Sequence, residues 1–311
     1  MRGGGAALCR LMARTKLART KRITGRRIAA ALLLCLLGGL AASWAAGSFM
    51  VRGAAGPVTP APPPAQDFVL TAGDGTRLAA TYRPGRGAHG PAVLLLHGVQ
   101  ASRQSTAPNA AWLARQGYAT LTIDFRGHGR SELRPRSFGL LEARDAEAAL
   151  RWLKARQRGA PVAVIGNSLG GAAALLGEAG PLPADALVLQ AVYPDLRSAI
   201  RNRIAQRLGR APAWALEPLL SFQTRPRLGV WPARLSPLRA VRRYGGPLLV
   251  VGGGADRSTP PAETRALFEA APGPKALWIV PGIGHGPVGD LRSEDYRRRL
   301  LAFFARTIGE P

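Results

Sequence analysis

The sequence predicts an α/β protein: a doubly wound, mostly parallel sheet with a small helical cap insertion and an N-terminal transmembrane or signal helix. Three observations carry this. From residue 67 onward, short apolar runs alternate with longer stretches of helical periodicity, the pattern of βαβ units. Residues 194–246 break that rhythm and contain no convincing strand. Near the N-terminus, IAAALLLCLLGGLAASWAA (28–46) carries no charge.

The N-terminal elements follow from charge. Residues 1–27 hold nine Arg and Lys and no acid, and read as a basic cytoplasmic tail. Extended to Val51, the apolar stretch covers 28–51, enough for a helix to span a hydrocarbon core, which needs about 20 residues. The basic flank keeps its own end cytoplasmic and sends the bulk of the chain to the other side. An uncleaved anchor is the expectation. The alternative is a cleaved signal peptide, with Ser43 and Ala45 as a permissible cleavage pair and a secreted or periplasmic product. Residues 52–66, rich in Pro, Ala and Gly, read as a semi-rigid linker.

The remaining domain, 67–311, opens on two strand-like runs around Asp74-Gly75, a hairpin signal. Buried strands are predicted at 91–98, 119–125, 161–167, 186–192, 247–253 and 275–282, with helices at 107–116, 139–156, 260–271 and 293–308. The segment 194–246 contains Trp214, Trp231, several prolines and eleven arginines against two acids, Asp195 and Glu217. A structureless loop of that length does not suit a compact domain, so it is read as a helical cap over the strand ends.

The formal charge of +25 raises a nucleic-acid reading, but no Lys/Arg run alternates with stacking aromatics. A solvated basic surface is expected, with no nucleic-acid partner; an anionic headgroup or lipid surface is the sharper option for the cap arginines. Both cysteines, Cys9 and Cys35, precede the folded domain, which excludes a disulfide framework or thiolate metal site within it.

Acyl transfer by serine needs an exposed hydroxyl, a histidine to take its proton, a carboxylate to orient that histidine, and oxyanion donors. In a doubly wound sheet these parts collect at the C-terminal ends of the strands. VAVIGNSLGG (162–171) places Ser168 directly after a strand, with Gly166 and Gly170 leaving room for a tight turn. Asp256 follows the run 247–253 in GGGADRSTPP, and His285 follows the last strand in VPGIGHGP. The order Ser, Asp, His is one of the known arrangements of such a triad. The backbone amides of Leu169 and of Val99, just after LLLHG, are the candidate oxyanion donors. Asp195, after the strand 186–192, is the rival acid. His97 and His128 are assigned to hydrogen bonding within their turns, His89 to solvent, and Asp124 and Arg126 to bracing a loop.

Taken together, GNSLGG, LLLHG with Val99, DFRGHGRSE (124–132), GGGADRSTPP and PGIGHG resemble the α/β-hydrolase fold serine hydrolases over 67–311. The N-terminal segment, the helical insertion and APGPKALWIVPGIGH look most like membrane-anchored or secreted members related to serine aminopeptidases and lysophospholipases. The GGG before Ala255-Asp256 departs from the usual pattern of the acid loop. The resemblance implies cleavage of an ester, thioester or amide in a small-molecule or lipid-like acyl substrate, with no metal or organic cofactor. A non-catalytic binding module and an acyltransferase or cofactor-free haloperoxidase are the alternatives.

Overall fold

The computed structural model describes residues 4–286 and 293–311. The chain divides into two units between Ser48 and Phe49. Helix α1 (Gly4–Val51) supplies the first through Ser48, and its last three residues belong to the second. Its Gly25–Val51 portion, 27 residues, is long and apolar enough to cross a membrane. At 1.5 Å per residue it is about 40 Å long, more than a hydrocarbon core of ~30 Å requires.

In the second unit an eight-stranded sheet runs in the order β1-β2-β4-β3-β5-β6-β7-β8. The strands are β1 (Gln66–Thr71), β2 (Arg77–Arg83), β3 (Ala92–Leu96), β4 (Ala119–Ile123), β5 (Val162–Asn167), β6 (Ala186–Gln190), β7 (Leu248–Gly253) and β8 (Lys275–Val280). β1 and β2 form the antiparallel hairpin turned at Asp74-Gly75, and β2 pairs antiparallel with β4. All pairings from β4 to β8 are parallel.

The central strands are apolar throughout because both faces are covered. Leu94, Leu96, Val164 and Leu189 face one side with α3 (Glu142–Arg156), α4 (Leu169–Leu175) and Leu267 of α9 (Pro261–Ala270). Their neighbours Val93, Leu95, Ile165 and Val188 face the other, with Leu113 of α2 (Arg103–Gln116) and Phe304 of α10 (Glu294–Thr307). α2 starts four residues before the predicted 107. The Asp124 carboxylate accepts the Arg103 amide at 2.6 Å and also its guanidinium, which anchors an extra turn ahead of Pro108.

Between β6 and β7 the chain forms α5 (Leu196–Leu208), α6 (Arg210–Ser221), α7 (Thr224–Leu228) and α8 (Pro237–Ala240). The segment before β1, expected to be a linker, lies along the domain instead. Ala54 and Gly56 donate their amides to the Gly127 and Gly129 carbonyls at 3.0 Å each, and Val51 O accepts the Arg136 amide at 2.7 Å. Small residues permit this close approach of two main chains.

Candidate active site

Strand register brings the site together. Leu96 of β3 lies beside Gly166 of β5, so Gly98 and Ser168, each two residues further on, leave the sheet side by side. A Cβ on Gly98 would sit 3.8 Å from the Ser168 Cβ. Gly253 of β7 lies beside Val280 of β8, and the loops carrying Asp256 and His285 start from that pair.

Ser168 joins β5 to α4 at φ 49 and ψ −106, a region that non-glycine residues rarely occupy and that costs roughly 1–3 kcal/mol. Its amide donates to Gln190 O at 2.8 Å and its carbonyl accepts the Ala172 amide at 3.0 Å, which hold the turn. Its hydroxyl does not cap the helix it precedes. The turn is possible because α4 presses on β3: a Cβ at Gly170 would lie 2.4 Å from Leu96 O.

Asp256 and His285 meet. The Asp256 Oδ2 accepts His285 Nδ1–H at 2.8 Å, while Oδ1 accepts the amides of Ser258 and Thr259, each at 2.8 Å. The carboxylate is fully buried and the imidazole a quarter exposed. Three donors suit an ionised acid, and a proton on Nδ1 leaves the lone pair on Nε2. The unusual GGG has a physical account here. A Cβ at Gly253 would come within 2.3 Å of Ile283 O, and Ala255 donates its amide to that same carbonyl at 2.9 Å. Only glycine lets the acid loop lie so close to the histidine loop.

Other sequence-predicted residues separate from this group. Among the described residues no hydrogen bond joins Ser168 Oγ to His285, the histidine assigned to take its proton. The rival acid Asp195 is the N-cap of α5, its two oxygens accepting the amide (2.9 Å) and hydroxyl (3.1 Å) of Ser198. Asp124 and Arg126 are braces. The first accepts from Arg103 and from the Arg130 amide; the second is paired with Asp145 and Asp74. Burial raises the Asp145 carboxyl to about 6 against the opposing pull of Arg126.

Two contributions go further than the sequence reading, which assigns His97 to hydrogen bonding within its turn and gives α5 no contact with the acid loop. His97 accepts the Phe125 amide on Nε2 at 3.1 Å and donates from Nδ1 to Gly98 O at 2.7 Å. Gly98 O and the Val99 N–H belong to one trans peptide unit and point in opposite directions, so this bond fixes the direction of the Val99 donor as well. Burial pushes His97 down to about 3, with neighbouring His128 acting the same way, so the ring stays neutral. No hydrogen-bond acceptor takes the Val99 or Leu169 amide among the described residues. The second contribution comes from α5 of the cap. Asn202 donates to Ser258 O (3.2 Å) and Glu263 (2.8 Å), and Gln206 donates to Arg257 O (3.2 Å), so α5 clamps the loop that carries Asp256.

Comparison with known proteins agrees with the architecture. Residues 87–226 match the family model described as serine aminopeptidase, S33, a span that includes Ser168, Val99 and Leu169 and ends before Asp256. The uncharacterized protein Rv2307c of Mycobacterium tuberculosis is 34% identical over 238 residues, covering 74% of this chain and 77% of that protein. The chain therefore belongs to the α/β-hydrolase fold serine hydrolases. YfhR of Escherichia coli is 27% identical over 260 residues, or 80% of this chain and 84% of its own length. Among solved structures, an esterase of Pyrococcus furiosus superposes with a TM-score of 0.68 at 22% identity, covering 84% of this chain and 99% of that one. The α/β hydrolase GrgF from Penicillium gives 0.59 at 23% identity, covering 79% and 99%.

Proposed function

We propose that this protein hydrolyses an ester, thioester or amide through an acyl-enzyme formed on Ser168. The observation that carries the reading is the buried, doubly amide-bonded Asp256 holding His285 Nδ1 at 2.8 Å after β7 and β8, in the same parallel sheet whose β5 leads into a serine held at positive φ. His285 Nε2 takes the proton as Ser168 Oγ bonds to the substrate carbonyl carbon. The negative charge then moves to the carbonyl oxygen, where the Val99 and Leu169 amides are the donors. On collapse, His285 returns its proton to the leaving alkoxide, thiolate or amine. Water then repeats the sequence against the acyl-enzyme and releases the acid and free Ser168.

An ester is the favoured substrate bond, supported by the esterases among the structural relatives. The apolar portion of α1 and its basic flank support an uncleaved membrane anchor with the catalytic domain on the extracytoplasmic side. Export after signal cleavage is the competing form.

One observation favours a second reading. The missing Ser168–His285 hydrogen bond is what a non-catalytic binding module of this fold would also have, although such bonds often tighten only with substrate. A fluorophosphonate probe, followed by a panel of p-nitrophenyl esters and aminoacyl anilides, separates the two. The enzyme is labelled at Ser168, and Ser168→Ala abolishes labelling and lowers turnover by about 10⁴-fold or more. An unlabelled wild type, or equal turnover by both proteins, would sink the mechanism.

A further inference from the structure

Apolar exposure in the second unit is concentrated in one place. Outside α1, eight large hydrophobic side chains are exposed among the described residues, and six of them lie between Leu208 and Trp231 of the cap. Trp214 and Trp231 are each more than half exposed.

The same surface is basic, and its charge is not neutralised from within. Of the two acids in 194–246, Asp195 caps α5. Glu217 is fully buried and bonded by Arg197 through Nε at 2.9 Å and through a second guanidinium nitrogen at 3.0 Å, with Arg201 at 3.9 Å. Six arginines of the segment, Arg207, Arg210, Arg225, Arg239, Arg242 and Arg243, are exposed, whereas neither of its two acids is.

Cations and rings are interleaved on this base. The Arg201 guanidinium lies 3.8 Å from the Trp214 ring centroid, Arg197 lies 5.8 Å from Phe222, and Arg225 lies 5.7 Å from Trp231. Phe222 and Trp231 meet edge to face at 6.1 Å. The buried Glu217 anchors two of these arginines, so the array is held in place before any partner arrives. Tryptophan rings with an apolar body and polar edge, spaced among arginines on short surface helices, match the boundary between headgroups and acyl chains.

We propose that the outer face of α6, α7 and the turn to Trp231 docks on an anionic lipid bilayer. The rings enter the headgroup layer and Arg210 and Arg225 meet lipid phosphates. The docking is independent of Ser168 and does not rest on the hydrolase reading. At roughly 1 kcal/mol per arginine near an anionic surface, losing these two lowers the docked-to-free ratio about 30-fold.

The test uses the full chain carrying Cys9→Ser and Cys35→Ser, reconstituted in lipid nanodiscs. An environment-sensitive nitrobenzoxadiazole label is placed at Leu216→Cys on the cap or, as the control, at Arg151→Cys on α3. The cap label should shift to the blue in phosphatidylglycerol-containing discs, but not in phosphatidylcholine discs, and high salt should reverse the shift. Arg210→Gln with Arg225→Gln should remove it, and the paired lysine substitutions should keep it, which separates lost charge from lost folding. The control label should not respond. Equal cap emission in the two disc types would overturn the proposal, as would a shift at both positions. So would a shift given by polyglutamate in solution and not by the anionic discs, which would mark the surface as a dock for an acidic protein.

Discussion

The two ends of the polar machinery are built in opposite ways. At the strand ends, charge is confined. Asp256 is buried and saturated by three donors, His97 is held neutral between two main-chain groups, and Ser168 is held in a strained turn. In the cap, the one buried acid serves only to anchor arginines, and both charge and aromatic area face outward. The strand ends are organised to hold a few atoms still. The cap is organised to present a surface. Substitutions in the first should change rate and stability steeply, whereas in the second they should change association and little else.

The largest contrast is expected at Asp256. Asp256→Asn removes the anion and leaves an amide that favours the wrong tautomer of His285, which lowers kcat by about 10⁴-fold with KM little changed. Steady-state kinetics on a soluble short-chain ester measure this. Arg210→Gln in the same assay should stay within a few-fold of wild type. A comparable loss in both would erase the distinction between the regions.

Next is the packing of the turn. Gly170→Ala would drive a Cβ to within 2.4 Å of the main-chain Leu96 O, where no side-chain rotation relieves it. Overpacking of this kind costs about 1–3 kcal/mol, read from the midpoint of urea unfolding of the second unit's transition. Because the clash pushes α4 off β3, activity should fall with stability.

Much of this arrangement could be read from the chain because it rests on local rules. Apolar runs such as 162–167 are buried on both faces, and Gly-x-Ser-x-Gly at a strand end leaves few shapes open. What could not be read depended on non-local contacts. The bond of His97 to Phe125 joins residues 28 apart, and the clamp of α5 on the Asp256 loop joins residues more than 50 apart. The GGG before Ala255 looked anomalous for the same reason: its cause is Ile283, on a different strand's loop. Residues 52–66 lack any periodic pattern, since their docking on Gly127 and Gly129 uses main-chain atoms alone.

A smaller effect separates the regions by pH. His97 is depressed from 6.5 to about 3 by burial, so the unfolded chain binds a proton that the folded chain refuses. Its contribution is intact above pH 6.5 and is lost as pH falls from 6.5 toward 3, at roughly 1 kcal/mol per pH unit. His128, also depressed by burial, adds in the same direction. Urea unfolding between pH 7 and pH 5 should show this slope, and His97→Asn should flatten it. Arg210→Gln should leave it unaltered, because a guanidinium does not titrate there. A slope indifferent to His97→Asn would mean that the ring protonates without unfolding its turn.

The smallest effect is the most diagnostic of the cap. Leu208 and Leu216 are exposed, so replacing each with serine removes little area from water-excluded contact. Each change should move stability by no more than about 0.5 kcal/mol, the range of ordinary surface substitutions. Leu94→Ala in β3, a deletion of the same side-chain type from a fully buried position, should cost about 2–5 kcal/mol. If the cap double variant Leu208→Ser with Leu216→Ser instead lost several kcal/mol, those leucines would be packing against something in the folded protein. The outward face would then be part of the core and not a surface kept for a partner. A midpoint shift near zero is the outcome that fits a surface built to meet another phase.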